Sequence, residues 1–242
     1  MRLRFLYRAL RARFRDQRRE IQAILGALRP DGLGVDVGAY KGSYVLWMSR
    51  GVREGRVVAF EPQPELAAYL RSACASLSLR NVTVESAGVS DHSGGGTLWV
   101  KGEGTWPGAS FESIVSTRGH GRRLDVTVVS LDDYFRQETR RIGAIKVDVE
   151  GHELSVFRGA ERLLREHSPL LVFECEQRNL SQGTVSDVLA HLSDRGYDGF
   201  FIQHSRLVPV SRFRPDIHQV AVGVRPWKRP DYCNNFVMTR RG

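Results

Sequence analysis

Two short segments carry side chains able to hold a nucleoside and to move a proton. The first, Val35-Asp36-Val37-Gly38-Ala39-Tyr40-Lys41-Gly42, follows Gly34 and sets glycines at 34, 38 and 42 around a carboxylate. Gly38 would let the backbone approach a ligand with no Cβ in the way, and Gly42 would ease the start of a helix. Asp36 could accept hydrogen bonds from a ligand ammonium, such as the amino group of a methionyl moiety. Nineteen residues beyond Gly42, Glu61 stands in Ala59-Phe60-Glu61-Pro62, where a carboxylate could accept from both hydroxyls of a ribose. A dinucleotide site requires G-x-G-x-x-G, so that a pyrophosphate can rest on a helix N-terminus. Here Tyr40 occupies the second close-approach position. Its bulk disfavours a pyrophosphate and suits an adenosine cofactor without phosphates, so S-adenosylmethionine fits and NAD fits poorly.

The second segment is Ile145-Lys146-Val147-Asp148-Val149-Glu150-Gly151-His152-Glu153. On a strand over 144–149, alternation sends Ile145, Val147 and Val149 one way. Lys146 and Asp148 go the other way, joined by Glu150 if the strand geometry continues. A central parallel strand is expected to be apolar on both faces, so three ionisable groups on one face need an explanation. The bland one is a satisfied ion-pair cluster at the strand end, or an edge strand. The chemical one is transfer of a methyl group from a sulfonium, which requires alignment and a base for the nucleophile's proton. Asp148 is the expected base, close to the cofactor methyl, with Glu150 and Lys146 supporting it. Lys146 would hold a carboxylate or steady developing negative charge. His152 has a convenient ordinary pKa, yet a lone histidine opening a helix is as often a surface residue. Asp148, Glu174 and Glu176 close neighbouring strands and could together hold Mg²⁺ against a diol. Carboxylates there could equally line a substrate pocket, and the reading without a metal is preferred.

These segments sit in a repeated strand–helix alternation that begins at residue 33. Expected strands are Leu33–Val37, Val57–Phe60, Val82–Glu85, Ala144–Val149, Leu170–Glu176 and Gly199–Gln203. Expected helices lie near Ser43–Arg50, Pro64–Leu77, Leu154–Arg165 and Thr184–Arg195. Thr97–Val100 and Leu124–Val129 interrupt the alternation as an inserted antiparallel element. Its long loop, about 101–121, carries Gly102, Gly104, Gly108, Gly119 and Gly121 with Trp106, Pro107 and Phe111, a composition equally suited to a substrate cover and to plain surface. Further strands are expected near His218–Val224 and Phe236–Met238. The fold class is α/β: a Rossmann-like, mostly parallel central sheet with helices on both faces. Residues 31–242 form that domain, and residues 1–30 a basic helical segment before it.

Taken together, Asp36–Gly42, Phe60-Glu61-Pro62, Ser130-Leu-Asp-Asp-Tyr-Phe135, Ile145–Glu153, Phe157-Arg-Gly-Ala160 and Leu171-Val-Phe-Glu174 resemble the FkbM family of methyltransferases. Asn234-Asn-Phe236 is a weaker echo. The resemblance covers about residues 33–176 and is most specific at 145–153. It implies a class I methyltransferase fold and S-adenosylmethionine-dependent O-methylation of a hydroxyl on a sugar, glycolipid, polyketide or related secondary metabolite. It departs from the family at Tyr40, where Asn is common, and at His152, where a small or apolar residue is frequent.

Composition narrows the partners. The net charge of +9 is concentrated in residues 1–30, where nine arginines face only Asp16 and Glu20, and the remaining body is close to neutral. A basic stripe interleaved with stacking aromatics is missing from that body, and so is an Asn-Pro-Pro-Tyr or Asp-Pro-Pro-Tyr tetrapeptide. The rival reading, a nucleic-acid N-methyltransferase, is therefore disfavoured. A non-catalytic methyltransferase-like scaffold is the other rival, and it would have no need of Asp36, Gly38, Glu61 and Asp148. Cys74, Cys175 and Cys233 are odd in number and widely spaced, which suits a reducing cytoplasm. No apolar run is long enough for a transmembrane helix, and no secretory signal is evident. Residues 1–29 are expected to form one helix with apolar positions at helical spacing. The preferred expectation is that it packs on the domain, and the sharper one that it lies on an anionic membrane surface, at the inner face of the membrane, or on a phosphate-bearing partner.

Overall fold

The computed structural model of the chain describes residues 2–101, 105, 108–111, 121–222, 226 and 229–241. Its strands in chain order are β1 (Leu33–Val37), β2 (Arg56–Phe60), β3 (Val82–Glu85), β4 (Gly88–Val89), β5 (Gly94–Lys101), β6 (Gly121–Val129), β7 (Ile142–Val147), β8 (Leu170–Glu174), β9 (Tyr197–Gln203), β10 (Arg206–Pro209) and β11 (Asn235–Arg240). The main sheet has the order β10-β9-β11-β8-β7-β1-β2-β3, and β4-β6-β5 form a second, smaller sheet. Pairing is parallel from β3 through β8, while β11 runs antiparallel to β8 and β9. The strand order reverses where β1 has β2 on one side and β7 on the other. A crevice opens at the carboxyl ends of strands at such a switch point.

The helices are α1 (Arg2–Arg11), α2 (Arg18–Ala27), α3 (Val45–Gly51), α4 (Pro64–Ser76), α5 (Leu131–Tyr134), α6 (Glu153–Arg158), α7 (Glu161–His167), α8 (Val185–Ser193) and α9 (Pro215–His218). Pro64 sits in the first turn of α4, where its missing N–H is no loss. Thr184 and Asp187 close α8 with a reciprocal capping box. One face of the sheet packs Val35, Val37, Ile145, Val147 and Phe173 against Phe157, Leu163, Val188 and Leu192. The other packs Val57, Ala144, Val172 and Val237 against Ile21, Ile24 and Met48. Each such large side chain contributes about 1.5–3 kcal/mol on burial.

Several boundaries differ from those read in the sequence. The single helix expected over 1–29 is two helices joined by a π-helical turn at Ala12–Asp16. The helix expected over 154–165 breaks at Gly159, where a Cβ would fall 2.0 Å from the Ser90 carbonyl oxygen, so the chain crosses too closely for a continuous helix with side chains. The strand expected over 144–149 stops at Val147. In place of a strand near 218–224, Pro215–His218 is a short helix and residues 219–222 belong to no element, while residues 223–224 lie outside the described residues. Gly102, Gly104, Trp106, Pro107 and Gly119 of the 101–121 loop also lie outside them. The antiparallel insertion is present as β5 and β6, in register from Gly94–Val128 to Lys101–Gly121. The short β4, α5 and β10 carried too few residues to show a period. Among the described residues, no helix is long and apolar enough to cross a membrane.

Candidate active site

The carboxyl ends of β1, β2 and β7 open into a cleft of about 700 Å³, part of it open to solvent. Its polar lining is Gly38, Tyr40, Glu61, Gln63, Asp148 and Glu150, and its apolar lining includes Val37, Phe60, Val89, Leu98 and Phe111. A mostly apolar cleft with a few convergent polar groups is the usual form of a small-molecule site.

Glu61 follows β2 directly and is 3% exposed. Its Oε2 accepts the backbone N–H of Tyr40 at 2.8 Å and its Oε1 that of Gln63 at 3.0 Å. Burial pushes its carboxyl up to about 7, against the pull of those two amides. Each oxygen keeps acceptor capacity toward the cleft. Tyr40 reaches Glu61 by adopting a left-handed backbone, φ +47°. This costs a non-glycine residue roughly 1–2 kcal/mol and explains why a residue tolerant of that region, such as Asn, suits the position.

Gly38 lines the cleft, and the fold itself requires glycine there. Its φ is +75°, and a Cβ would fall 1.9 Å from the carbonyl oxygen of Asp148. The turn after β1 and the turn after β7 thus cross in backbone contact. Gly38 N and Ala39 N donate to the Phe60 carbonyl at 3.0 and 2.9 Å, and Asp148 N donates to that of Val37 at 3.0 Å. Gly42, also left-handed at φ +74°, is not part of the cleft lining. The space a Cβ would take there is filled by Leu70 and by Phe5 of α1.

Asp36 is likewise not part of the lining. It is the penultimate residue of β1, fully buried, on the face opposite Val35 and Val37, which strand alternation makes unavoidable. In register it opposes Lys146 of β7, whose Nζ lies 3.9 Å from its Oδ1. Neither Asp36 oxygen has a hydrogen-bond partner. Burial pushes its carboxyl up to about 6, with Lys146 lowering it and Asp148 raising it. Lys146 is 5% exposed. Its Nζ donates to Asp148 Oδ2 at 3.0 Å and stands 5.2 Å from the centroid of the Tyr44 ring. Burial works against its ammonium, but Asp148 and Asp36 outweigh that and hold its pKa above the ordinary lysine value. Lys146 lies behind the cleft, and its hydrogen bond to Asp148, whose side chain is 32% exposed, connects it to the lining.

Because β7 stops at Val147, alternation does not govern Glu150. Its backbone is left-handed at φ +54°, and its side chain reaches the cleft by this turn. Its Oε2 accepts from Asn179 Nδ2 at 2.6 Å, and its carbonyl accepts from Ser110 Oγ at 2.7 Å. Burial, then Asp148 and Glu176, push its carboxyl up to about 8, so it is mainly protonated at neutral pH. His152 caps α6 outside the lining, with Nε2 2.8 Å from Ser90 Oγ and its ring 5.1 Å from that of Phe111. Phe111 does line the cleft.

Behind Asp148, Asn234 Nδ2 donates to Glu174 Oε1 at 2.7 Å and to Glu176 Oε1 at 2.8 Å. Tyr232 and Arg178 both donate to Glu176 Oε2. Burial followed by the charge of Asp148 raises the Glu174 carboxyl well above its ordinary value. Among the described residues, no group of three or more His, Cys, Asp or Glu side chains is arranged to hold a metal ion. Asn179 and Asn234 were not among the residues singled out in the sequence for the site. Asn179 had no signal, and Asn234 only the short Asn-Asn-Phe echo.

The donor set suits a cationic nucleoside lacking phosphates. Among the described residues the cleft lining carries three carboxyl groups and no Lys or Arg. Carboxyl oxygens can accept from an ammonium or a diol, whereas a pyrophosphate needs donors. Glu61 offers acceptor oxygens for a diol beside an apolar wall. The residues present therefore fit S-adenosylmethionine.

Comparison with known proteins gives the same reading. The family model described as Methyltransferase FkbM domain matches residues 36–198. Methyltransferase sdnD of Sordaria araneosa is 30% identical over 193 residues, covering 68% of this chain and 73% of that protein. Among solved structures, SMU.1697c of Streptococcus mutans in complex with SAH aligns with a TM-score of 0.53 at 9% identity, over 94% of this chain and 98% of that one. The likeness shows the shared Rossmann-like class I methyltransferase fold. Methyltransferase FkbM from Methylobacillus flagellatus aligns at 19% identity with a TM-score of 0.49, over 88% of this chain, which spans 45% of that longer chain.

Proposed function

The chain belongs to the FkbM methyltransferase family and is an S-adenosylmethionine-dependent methyltransferase, and from that premise we propose that it methylates a hydroxyl oxygen, with Asp148 as the base. The observation carrying this reading is that Asp148, a residue of the cleft lining, accepts a hydrogen bond from the buried Lys146 ammonium. Bound S-adenosylmethionine supplies a methyl group that an attacking oxygen takes from a sulfonium, which departs as a thioether. Glu61 would hold the ribose diol, while the Gly38–Tyr40 turn shapes the wall beside it. An alcohol attacks well only when its proton has somewhere to go as the new C–O bond forms. Asp148 receives that proton on the carboxylate oxygen not engaged by Lys146, a role that contributes roughly 10²–10⁴-fold. Lys146 and Asp36 act through Asp148, keeping it oriented. Glu150, largely protonated and held by Asn179, can donate a hydrogen bond to the acceptor without competing for its proton. His152 has no step here and would act by seating Phe111.

The acceptor class implied by the family is a sugar, glycolipid, polyketide or related secondary metabolite. The test is mass spectrometry of a panel of such hydroxyl compounds incubated with protein and S-adenosylmethionine. A mass gain of one methylene, mapped to oxygen, supports the reading. Transfer confined to the ring or exocyclic nitrogens of nucleic acid overturns it.

A further inference from the structure

α1 has two apolar faces, and the fold uses only one. Phe5, Ala9 and Ala12 are buried against the domain, where Phe5 packs over Gly42 and on Leu70 of α4. On the opposite side Leu3, Tyr7, Leu10 and Phe14 are 81%, 64%, 46% and 67% exposed. At about 100° per residue Leu3, Tyr7 and Leu10 fall within roughly 60° of arc on α1, and Phe14 is exposed in the π-helical turn that follows, edge-on to Trp47. Arginines border this stripe on both sides. Arg4 and Arg11 lie along one edge and Arg2 along the other, all three exposed, and Arg11 shares Asp16 with Arg15 of the turn. The helix is not a loose arm. Arg8 donates to the Tyr69 hydroxyl, and Trp47 Nε1 donates to the Ala9 carbonyl at 2.7 Å, so the stripe is presented at a fixed angle.

We infer that α1 docks the protein on an anionic lipid bilayer, with Leu3, Tyr7, Leu10 and Phe14 entering the headgroup–acyl boundary and the flanking arginines pairing with lipid phosphates. Large apolar side chains centred between cations are what an interfacial helix presents to such a surface. A nucleic acid would engage the arginines and leave the apolar stripe in water. A second copy of the chain would set one arginine-bordered face against another, with nine arginines and only two acidic residues in residues 1–30 of each. An anionic bilayer satisfies both the stripe and its borders.

The test is co-sedimentation of the full chain with vesicles of phosphatidylcholine alone and of phosphatidylcholine with phosphatidylglycerol. Binding to the anionic vesicles only, weakening as salt is raised, is expected. Leu10→Ser/Phe14→Ser should lower that partition by about tenfold or more, while calorimetric binding of S-adenosylhomocysteine stays unchanged and reports an intact fold. Three results would overturn the inference: no binding to anionic vesicles, equal binding to both vesicle types, or binding that the double substitution leaves intact. A dimer in light scattering that the same substitutions dissociate, with no vesicle binding, would assign the stripe to a second copy instead.

Discussion

Replacing Gly38 by alanine tests how the cleft is assembled. The new Cβ would lie 1.9 Å from the Asp148 carbonyl oxygen and 2.9 Å from its carbonyl carbon. Restoring an ordinary contact requires the Asp148 backbone to retreat by about 1.5 Å, in a close-packed region with little room to yield. Asp148 N is held by Val37, and Gly38 N by Phe60, so neither turn can move alone. The left-handed φ adds about 1–2 kcal/mol and the overlap about 1–3 kcal/mol, a total of about 2–5 kcal/mol. For a chain of this length that lowers the melting temperature by roughly 5–15 °C. A shift of that order in the proposed base should cost roughly 10²-fold in methyl transfer. Gly26→Ala is the control: nothing lies within 4 Å of its Cβ position in α2. Alanine there should stabilise by about 0.5–1 kcal/mol. Calorimetric melting and turnover of both variants read the two effects. A Gly38→Ala protein that melts and turns over like the parent would refute the crossing of the two turns as the basis of the site.

Tyr40→Asn should raise the melting temperature by roughly 2–4 °C, because Asn accepts the left-handed backbone at about 1 kcal/mol less cost; a lower melting temperature would contradict this. Glu20 is buried on α2 with its carboxyl pushed up to about 7 by burial. The folded state thus binds its proton more tightly than the unfolded chain, and the stability it contributes is complete below about pH 4.5 and lost as pH rises through about 7. Glu20→Gln should therefore flatten the fall in melting temperature between pH 5 and 8, and a parallel fall would count against it. Glu174 and Glu176 are engaged by Asn234, so turnover is expected to survive EDTA, and loss of activity restored by Mg²⁺ would show otherwise.

Glu61 and Asp148 could be placed in one cleft from the sequence because each follows the last residue of a parallel strand, and strand ends in βα units gather at one edge of the sheet. Asp36 lies outside the cleft lining because strand alternation sets its direction. With Val35 and Val37 committed to one core face, Asp36 had to face Lys146 on the other. Glu150 escaped that rule for the opposite reason: the strand had ended, and its side-chain direction was set by a left-handed turn that no period announces. Asn179 and Asn234 reach the carboxylates from residues 29 and 60 positions away along the chain. Such partners leave no trace in local spacing. The unused apolar face of α1 was hidden differently, since apolar residues on two opposite sides of a helix read as one imperfect period.

The central claim is that one cleft both holds the cofactor, through Glu61, and takes the acceptor's proton, through Asp148. Asp148→Asn tests it most directly, because the amide keeps the shape and loses the base. Calorimetry with S-adenosylhomocysteine should give an affinity within about threefold of the parent, while the rate of methyl transfer falls by roughly 10²–10⁴-fold. Methyl transfer at the parent's rate by the Asp148→Asn protein, with the cofactor product still bound, would contradict the account.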